Sequence, residues 1–298
     1  DIIYSQIYNE KTGVDQTNQF ILADKITKSL NPEYGAITKL HARNAIGSMD
    51  DVIALCENKI VKILSSGKDA LFNADGNAQL LASSRVLGQT IPFGADYGCQ
   101  NPESFASDQY RIYFADRSKG AVLRLSRDGI TPISKAGMGD WFSDNLSTAI
   151  GTDGEYTQAI IGSFDDSREE YNITIHSLIN LNSKKKVYTV SYNEPTDGWV
   201  SFKSFIPEAG FSINNKYYTV KKGEIYDHDP NYPTLANNFY GEQFNSTITS
   251  IFNDASGVIK SFRTISYEGT QAKIVSNLTD GEYYNNYSSD LNGWYVEK

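Results

Sequence analysis

Three histidines, two cysteines and a few paired acids are the residues of this chain that could do chemistry, and their spacing argues against most of it. His41, His176 and His228 each lack a second histidine or a cysteine at ligand spacing, so none of them opens a zinc site. His41 and His176 alternate with strand-type neighbours and read as strand histidines, satisfied or exposed. Asp227-His228-Asp229-Pro230-Asn231 places oxygen ligands at alternate positions, as a calcium loop does, but Tyr232 stands where such a loop needs glycine for its sharp turn. No metal is expected there. Cys56 and Cys99 lie far apart and form no Cys-x-x-Cys pair, so buried free thiols are expected rather than a disulfide framework or a metal site.

Nucleophilic and phosphate chemistry fare no better. The chain has no Gly-x-Ser-x-Gly elbow to present a serine. Ser65-Ser66-Gly67-Lys68-Asp69 looks like the end of a phosphate loop, yet Lys62 occupies the place of its first glycine and Asp69 that of its Ser or Thr. Asp165-Asp166 and Glu169-Glu170 flank Arg168, but a glycosidase needs two carboxylates facing one another across a sugar and nothing here fixes that separation. These acids read as a solvated hairpin tip. Ser126-Arg127-Asp128-Gly129-Ile130-Thr131 is similar to the Asp box of sialidases, but it is one residue short and lacks the closing aromatic. Its Asp-Gly reads as a two-residue hairpin turn. Asn-x-Ser/Thr sequons begin at Asn145, Asn172, Asn245, Asn277 and Asn286, and with no sign of secretion they carry no weight. No catalytic, cofactor-binding or metal-ligating residue is assigned, and the chain is not expected to be an enzyme.

The elements that would position these residues read as strands. At 298 residues the chain can bury about three quarters of its unfolded surface, as one large β domain or two smaller ones. Hydrophobic residues make up 40% and charged residues 21%, which excludes a disordered chain. The 20 Tyr and 14 Phe, against 2 Met, suit pleated surfaces where rings pack across strands. No run approaches the roughly 18 apolar residues of a membrane-spanning helix, so a soluble protein without a membrane span is expected. The start at Asp1, without an initiator Met or a signal peptide, suggests a fragment or processed form. A net charge of -9 argues against wrapping a nucleic acid, which takes clustered Lys and Arg.

Residues 1–35 read as a leading segment. Leu22, Ile26 and Leu30 recur at helical spacing and Asn31-Pro32 supplies a stop, which predicts one short helix around Thr17 to Leu30. From Ala36 to residue 298 the pattern is a single β domain of short strands punctuated by Gly, Asn and Asp. Val52–Cys56, Ile60–Leu64 and Ala70–Phe72 make one strand-turn-strand unit; Arg111–Phe114, Ala121–Leu125 and Ile130–Ile133 repeat it; Gly210–Ile213, Lys216–Val220 and Glu224–Tyr226 repeat it again. A longer version runs through Ala159–Gly162, Tyr171–Ile175 and Val187–Val190, and further strands are expected at Ile248–Phe252 and Ile259–Ser266. With a preceding strand such as Ile37–Leu40, each unit holds about four strands in roughly 40 to 60 residues, as propeller blades do. The fold class is therefore all-β, a β-propeller-like array of four-stranded antiparallel blades, with a β-sandwich as the competitor. A short helix is expected within Gly137–Leu146, its Trp141, Phe142 and Leu146 in the core.

Tyr97-Gly98-Cys99-Gln100-Asn101-Pro102-Glu103-Ser104-Phe105, with Tyr113–Asp116, Ala121–Ser126, Asp128-Gly129-Ile130 and Ile133-Ser134, resembles a family of phage virion proteins. These are the stabilisation or tail-nozzle proteins of short-tailed phages, above all the large muzzle proteins of crAss-like phages. Asp69–Asn77 and Asn292–Lys298 resemble the same family, and the similarity runs from about Asn18 to the end, densest between Glu57 and Asp144. Its members are much longer than this chain. The resemblance implies a structural subunit in the phage tail of the virion, made in the bacterial host cytoplasm. Its partners would be other tail proteins and copies of itself in a ring around the genome exit channel. No catalytic residue or cofactor comes with that role. DNA would pass transiently without specific binding, and acidity suits that passage, because a basic lumen would hold phosphates through counterion release. The alternative is a carbohydrate-binding or carbohydrate-cleaving bacterial propeller, in which Trp199 or Trp294 would stack on sugars, although aromatics in a blade more often fill its core.

Overall fold

The computed structural model describes residues 1–5, 8–9, 11–20, 27–43, 51–65, 68–72, 78–82, 87–149, 160–178, 185–228, 236–249, 257–259, 261, 275–276 and 283–284. Their chain contacts divide the protein into a unit of Asp1–Ser246 and a unit of Thr247–Lys298. The described secondary structure is antiparallel sheet with one short α-helix, as the alternating pattern requires.

The leading residues form β1 (Ile2–Ile3), β2 (Tyr8–Asn9), β3 (Val14–Asp15) and β4 (Thr27–Lys28), with β1 paired to β4 and β2 to β3. The helix expected around Thr17 to Leu30 falls partly on residues 21–26, which lie outside the described residues. Where the stretch is described it is not helical, because Thr27 and Lys28 pair with Ile3 and Ile2. Burial explains the difference. Ile2 is packed with Ala54, Val61 and Ile63, and Leu30 and Tyr34 lie against the same cluster, so contact with a sheet overrides a weak helical propensity.

Four sheets follow in chain order. The first contains β5 (Ile37–Arg43), β6 (Asp51–Cys56), β7 (Ile60–Ser65) and β10 (Leu87–Pro92), and between its last two strands β8 (Lys68–Phe72) and β9 (Ala78–Ala82) pair as a separate hairpin. Ala70–Phe72 is thus a strand, but not a third member of the sheet formed by Val52–Cys56 and Ile60–Leu64, as the repeat suggested. The second sheet is β11 (Ala106–Ser107), β12 (Ile112–Asp116), β13 (Ala121–Ser126) and β14 (Gly129–Pro132), and the helix α1 (Gly139–Ser147) follows it. The third is β15 (Ile160–Asp165), β16 (Glu170–Leu178), β17 (Lys185–Asn193) and β18 (Gly198–Lys203). The fourth has three described strands, β19 (Ala209–Ile213), β20 (Lys216–Lys221) and β21 (Glu224–Asp227), and is followed by the hairpin of β22 (Asn238–Phe239) and β23 (Glu242–Gln243). In the C-terminal unit β24 (Val275–Ser276) pairs with β25 (Tyr283–Tyr284). The strands expected at Ile248–Phe252 and Ile259–Ser266 lie mostly outside the described residues, and the described Ile248 and Ile259 are not in strands.

Neighbouring strands pair antiparallel within each sheet; the third and fourth sheets meet where the Ser163 and Tyr217 hydroxyls bond at 2.7 Å, and the second is packed face to face between the first and the third. β12 shows why. All five of its residues are buried, and because strand side chains alternate between faces, they divide between two neighbours. Ile112 and Phe114 join Ile53, Leu55 and Ile60 of the first sheet. Tyr113 and Ala115 point the other way, into a cluster with Phe164, Tyr171 and Ile173 of the third. Tyr113 stacks on Tyr171 and Phe164, with ring centroids 4.9 and 5.3 Å away. A sheet covered on both faces needs a continuous apolar run rather than strict alternation, which is how Ile-Tyr-Phe-Ala reads.

Successive sheets approach one another closely at or near their first strands. Lys39 of β5 lies over the ring of Phe105, which leads into β11. A Cβ added at Gly162 of β15 would stand 1.9 Å from the carbonyl oxygen of Ser104, and one at Gly210 of β19 would stand 2.7 Å from the Cβ of Ser163. Only glycine permits either approach. Helix α1 overlaps the predicted Gly137–Leu146 stretch and runs one residue beyond it; it buries Phe142 and Leu146 in the cluster shared by the second and third sheets, with Trp141 packed on it. No helix among the described residues is long and apolar enough to cross a membrane.

Candidate functional site

The residues singled out for chemistry are dispersed, and each answers to its own element. His41 sits on β5 with its ring 5.0 Å from that of Phe105, and burial, then the charge of Lys39, lower its pKa. His176 is buried within β16. Both are strand histidines, as expected. His228 follows β21 and packs among Phe205, Tyr217, Phe239 and Tyr240, a largely aromatic setting that offers no set of oxygen ligands. Asp229, Pro230 and Asn231 of the calcium-like string, and Tyr232, lie outside the described residues. Among the described residues no three His, Cys, Asp or Glu side chains gather as a metal site would need.

Cys56 and Cys99 are free and fully buried. Their backbones meet, the Cys99 N–H donating to the Cys56 carbonyl at 2.9 Å, a proximity that their separation of more than forty positions hides. Burial raises both thiol pKa values, that of Cys99 to about 11, so neither is a reactive thiolate.

The paired acids close a hairpin, with one departure from the expected solvated tip. Asp166 and Glu169 are exposed, but Asp165 is buried at the end of β15. Its carboxylate accepts from the Ser167 N–H and hydroxyl and from the Arg168 N–H, and pairs with the Arg168 guanidinium at 3.0 Å. A turn that doubles back needs acceptors for its free amides, and a short carboxylate supplies them. Glu170 pairs with Lys203 at 3.0 Å. Asp116 ends β12 in the same manner, buried and accepting from the N–H groups of Lys119 and Gly98. The Asp-box-like string is a hairpin turn displaced by one position: Ser126 pairs with Gly129, so Arg127 and Asp128 form the loop, and Gly129 takes a φ of 107°.

Of the phosphate-loop string, Ser66 and Gly67 lie outside the described residues, while Ser65 ends β7 and Lys68 and Asp69 begin β8, a strand-to-strand setting without the helix that such a loop caps. Trp199 is part of the core, 4.4 Å from the Phe142 ring, with its indole N–H donating to the Ile133 carbonyl at 3.0 Å. Trp199 is thus packed against the core, the commoner fate of a blade aromatic, and Trp294 lies outside the described residues. Of the sequons, Asn172 is buried in β16, Asn145 donates to the Trp141 carbonyl from α1, Asn245 is exposed, and Asn277 and Asn286 are outside the described residues.

The most developed polar cluster is one that the sequence did not announce. Glu194, in the β17–β18 turn and nearly buried, accepts from the Tyr113 hydroxyl at 2.6 Å and from Arg124 at 2.9 Å, with Arg111 at 3.4 Å. Arg111 also pairs with Asp108 at 3.3 Å, and Asp197 accepts from the Tyr192 hydroxyl. Burial first, then the Glu194 carboxylate, pushes the Tyr113 phenol far above its ordinary range, so it stays a hydrogen-bond donor. The cluster joins the second and third sheets at one end of their shared apolar face. Its partners are 70 and 81 positions apart, so no local pattern could have revealed it. Chemically it is a fastening: the carboxylate is saturated by cationic and phenolic donors and has no base or nucleophile beside it.

Two family models match the chain. One, described as Crassvirus muzzle protein, matches residues 1–223; the other, described as Crassvirus muzzle protein C-terminal domain, matches residues 235–294. Comparison with curated proteins finds no match.

Proposed function

The chain belongs to the Crassvirus muzzle protein family, which makes it a structural protein of crAss-like phages, and we propose that it forms part of the ring around the genome exit channel of the phage tail. The match across both segments is the observation that carries this reading. In it the first four sheets are blades of a propeller-like arc. The close approach of Gly162 in β15 to Ser104, just before β11, and of Gly210 in β19 to Ser163 in β15, with the second sheet packed between the first and the third, supports that arrangement. Residues 1–35 are read as a leading segment on the first blade and residues 36–298 as the β domain.

The proposed role is mechanical. Neighbouring copies and other tail proteins are its partners, contacts between copies are heterologous so that a ring closes, and DNA passes without being bound specifically. A net charge of -9 suits such passage, since acidic or neutral walls gain no counterion release from phosphates. The virion is its place of action and the bacterial host cytoplasm its place of synthesis. No catalytic step belongs to this reading: the polar side chains described above close turns and fasten sheets. Electron microscopy of purified virions tests it. Density for this fold in a ring at the tail, with no continuous basic stripe along the lumen, is expected; particles that lack the protein would overturn the reading.

A further inference from the structure

His228 is a half-buried titratable group, its ring set among aromatic side chains, that the stacking of sheets leaves without a role. Two elements enclose its ring. From the sheet side come Phe205 at 4.6 Å and Tyr217 at 5.2 Å; from the β22–β23 hairpin come Phe239, nearly parallel at 5.7 Å, and Tyr240 at 6.2 Å. Nε2 lies 2.6 Å from the Thr219 hydroxyl, which is itself 2.9 Å from the Tyr240 hydroxyl. The His228 N–H donates to the Tyr217 carbonyl at 3.0 Å, which fixes the residue to β20. Residues 236–246 are otherwise mostly exposed, and further contacts of the hairpin surround the same ring: Phe239 to Phe205 at 5.5 Å, Tyr240 to Tyr226 at 4.8 Å, and Lys221 over Tyr240 at 5.9 Å. We propose that His228 is an acid-sensitive latch, holding the β22–β23 hairpin on the fourth sheet while its imidazole is neutral and releasing it on protonation.

The chemistry follows from what a charged ring would meet. A neutral ring can accept at Nε2 from Thr219, which then accepts from Tyr240; a protonated ring can only donate, so Thr219 must turn its proton away. The charge would be enclosed by aromatic side chains, with the Arg168 guanidinium of the β15–β16 turn and Lys203 of β18 on the unfavourable side. Asp165 and Asp227 oppose them. Burial is the largest effect and Arg168 the next, and the balance takes the imidazole from 6.5 down to about 4. Attraction of a cation to the ring faces offsets only part of the burial penalty. Because the folded value is depressed, the stabilisation of the closed hairpin is complete above pH 6.5 and is lost as pH falls towards 4. Release frees the stretch that precedes the C-terminal unit beginning at Thr247.

Hydrogen exchange on the full chain, corrected for intrinsic rates, tests the latch. Linkage between those two values gives about a 20-fold rise in hairpin opening from pH 7 to pH 5, read at amides such as that of Phe244, while β12 and β15 stay protected. His228→Gln should remove the pH dependence. Phe239→Ala, a change on the hairpin itself, should leave it open at both pH values. Unchanged exchange in the native chain, the same pH response in His228→Gln, simultaneous loss of protection in β12 and β15, or wild-type protection in Phe239→Ala would each overturn the proposal.

Discussion

Glu194 shows how much of this molecule depends on single side chains that join sheets. Removing it takes the nearest acceptor from both Tyr113 and Arg124, leaving the hydroxyl only Asp108 at 3.4 Å and the guanidinium only Asp197 at 3.9 Å. Glu194→Ala should therefore destabilise the chain by about 3 kcal/mol, the low end for a broken buried pair because Arg111 keeps Asp108. Urea unfolding checks this, and a loss below about 1 kcal/mol would place the pair with ordinary surface bridges. Gly162→Ala should do more harm, about 4 kcal/mol or beyond, since its methyl would collide with the Ser104 carbonyl. Gly139→Ala, at the start of α1 with nothing within 4 Å, is its control and should be neutral or stabilising by up to about 1 kcal/mol. Cys56 and Cys99 should react with a thiol reagent only after denaturation, because burial holds both protons on.

At the scale of elements, partnership between sheets matters more than propensity. Where β17 meets β18 the register shifts between Ser191 and Tyr192, and the resulting bulge lets both Trp199 and Phe202 meet α1, Trp199 against Phe142 and Phe202 against Trp141 at 5.4 Å. Phe142→Ala would empty the centre of that contact and should cost about 3–5 kcal/mol in unfolding free energy, with loss of near-ultraviolet signal from Trp141 and Trp199. The far-ultraviolet spectrum should be predominantly that of β structure. A measured helix content above about one third, the average for globular proteins, would be incompatible with the sheets seen here.

For the whole molecule, the proposed role as a ring component makes two demands. Side surfaces must meet identical neighbours through two different patches, so light scattering should report weak self-association that rises with concentration, and a strict monomer at every concentration would count against the ring. Hydrolysis should be undetectable on a broad panel of glycosides and esters. Turnover lost on replacing Asp165, Asp166, Glu169 or Glu170 would instead give those hairpin acids a chemical role.

What the sequence by itself determined was local. Turn residues and apolar alternation placed β12 to β14, β15 to β17 and β19 to β21, the helix over most of Gly137–Leu146 and the burial of two free cysteines, whereas β11 and β18 were not singled out. The string Tyr97–Phe105 also pointed to the family. Only the tertiary structure decided which sheet faces which, that Asp165 is buried, that Ala70–Phe72 pairs with Ala78–Ala82, that Thr27–Lys28 is strand, and that Glu194 fastens Tyr113 and Arg124. For all but the Ala70–Phe72 hairpin and the turn bonds of Asp165, which are local, the physical reason is distance along the chain. Burial and long-range hydrogen bonds compare a residue with neighbours tens of positions away, and their free energies exceed the few tenths of a kcal/mol by which local propensities differ.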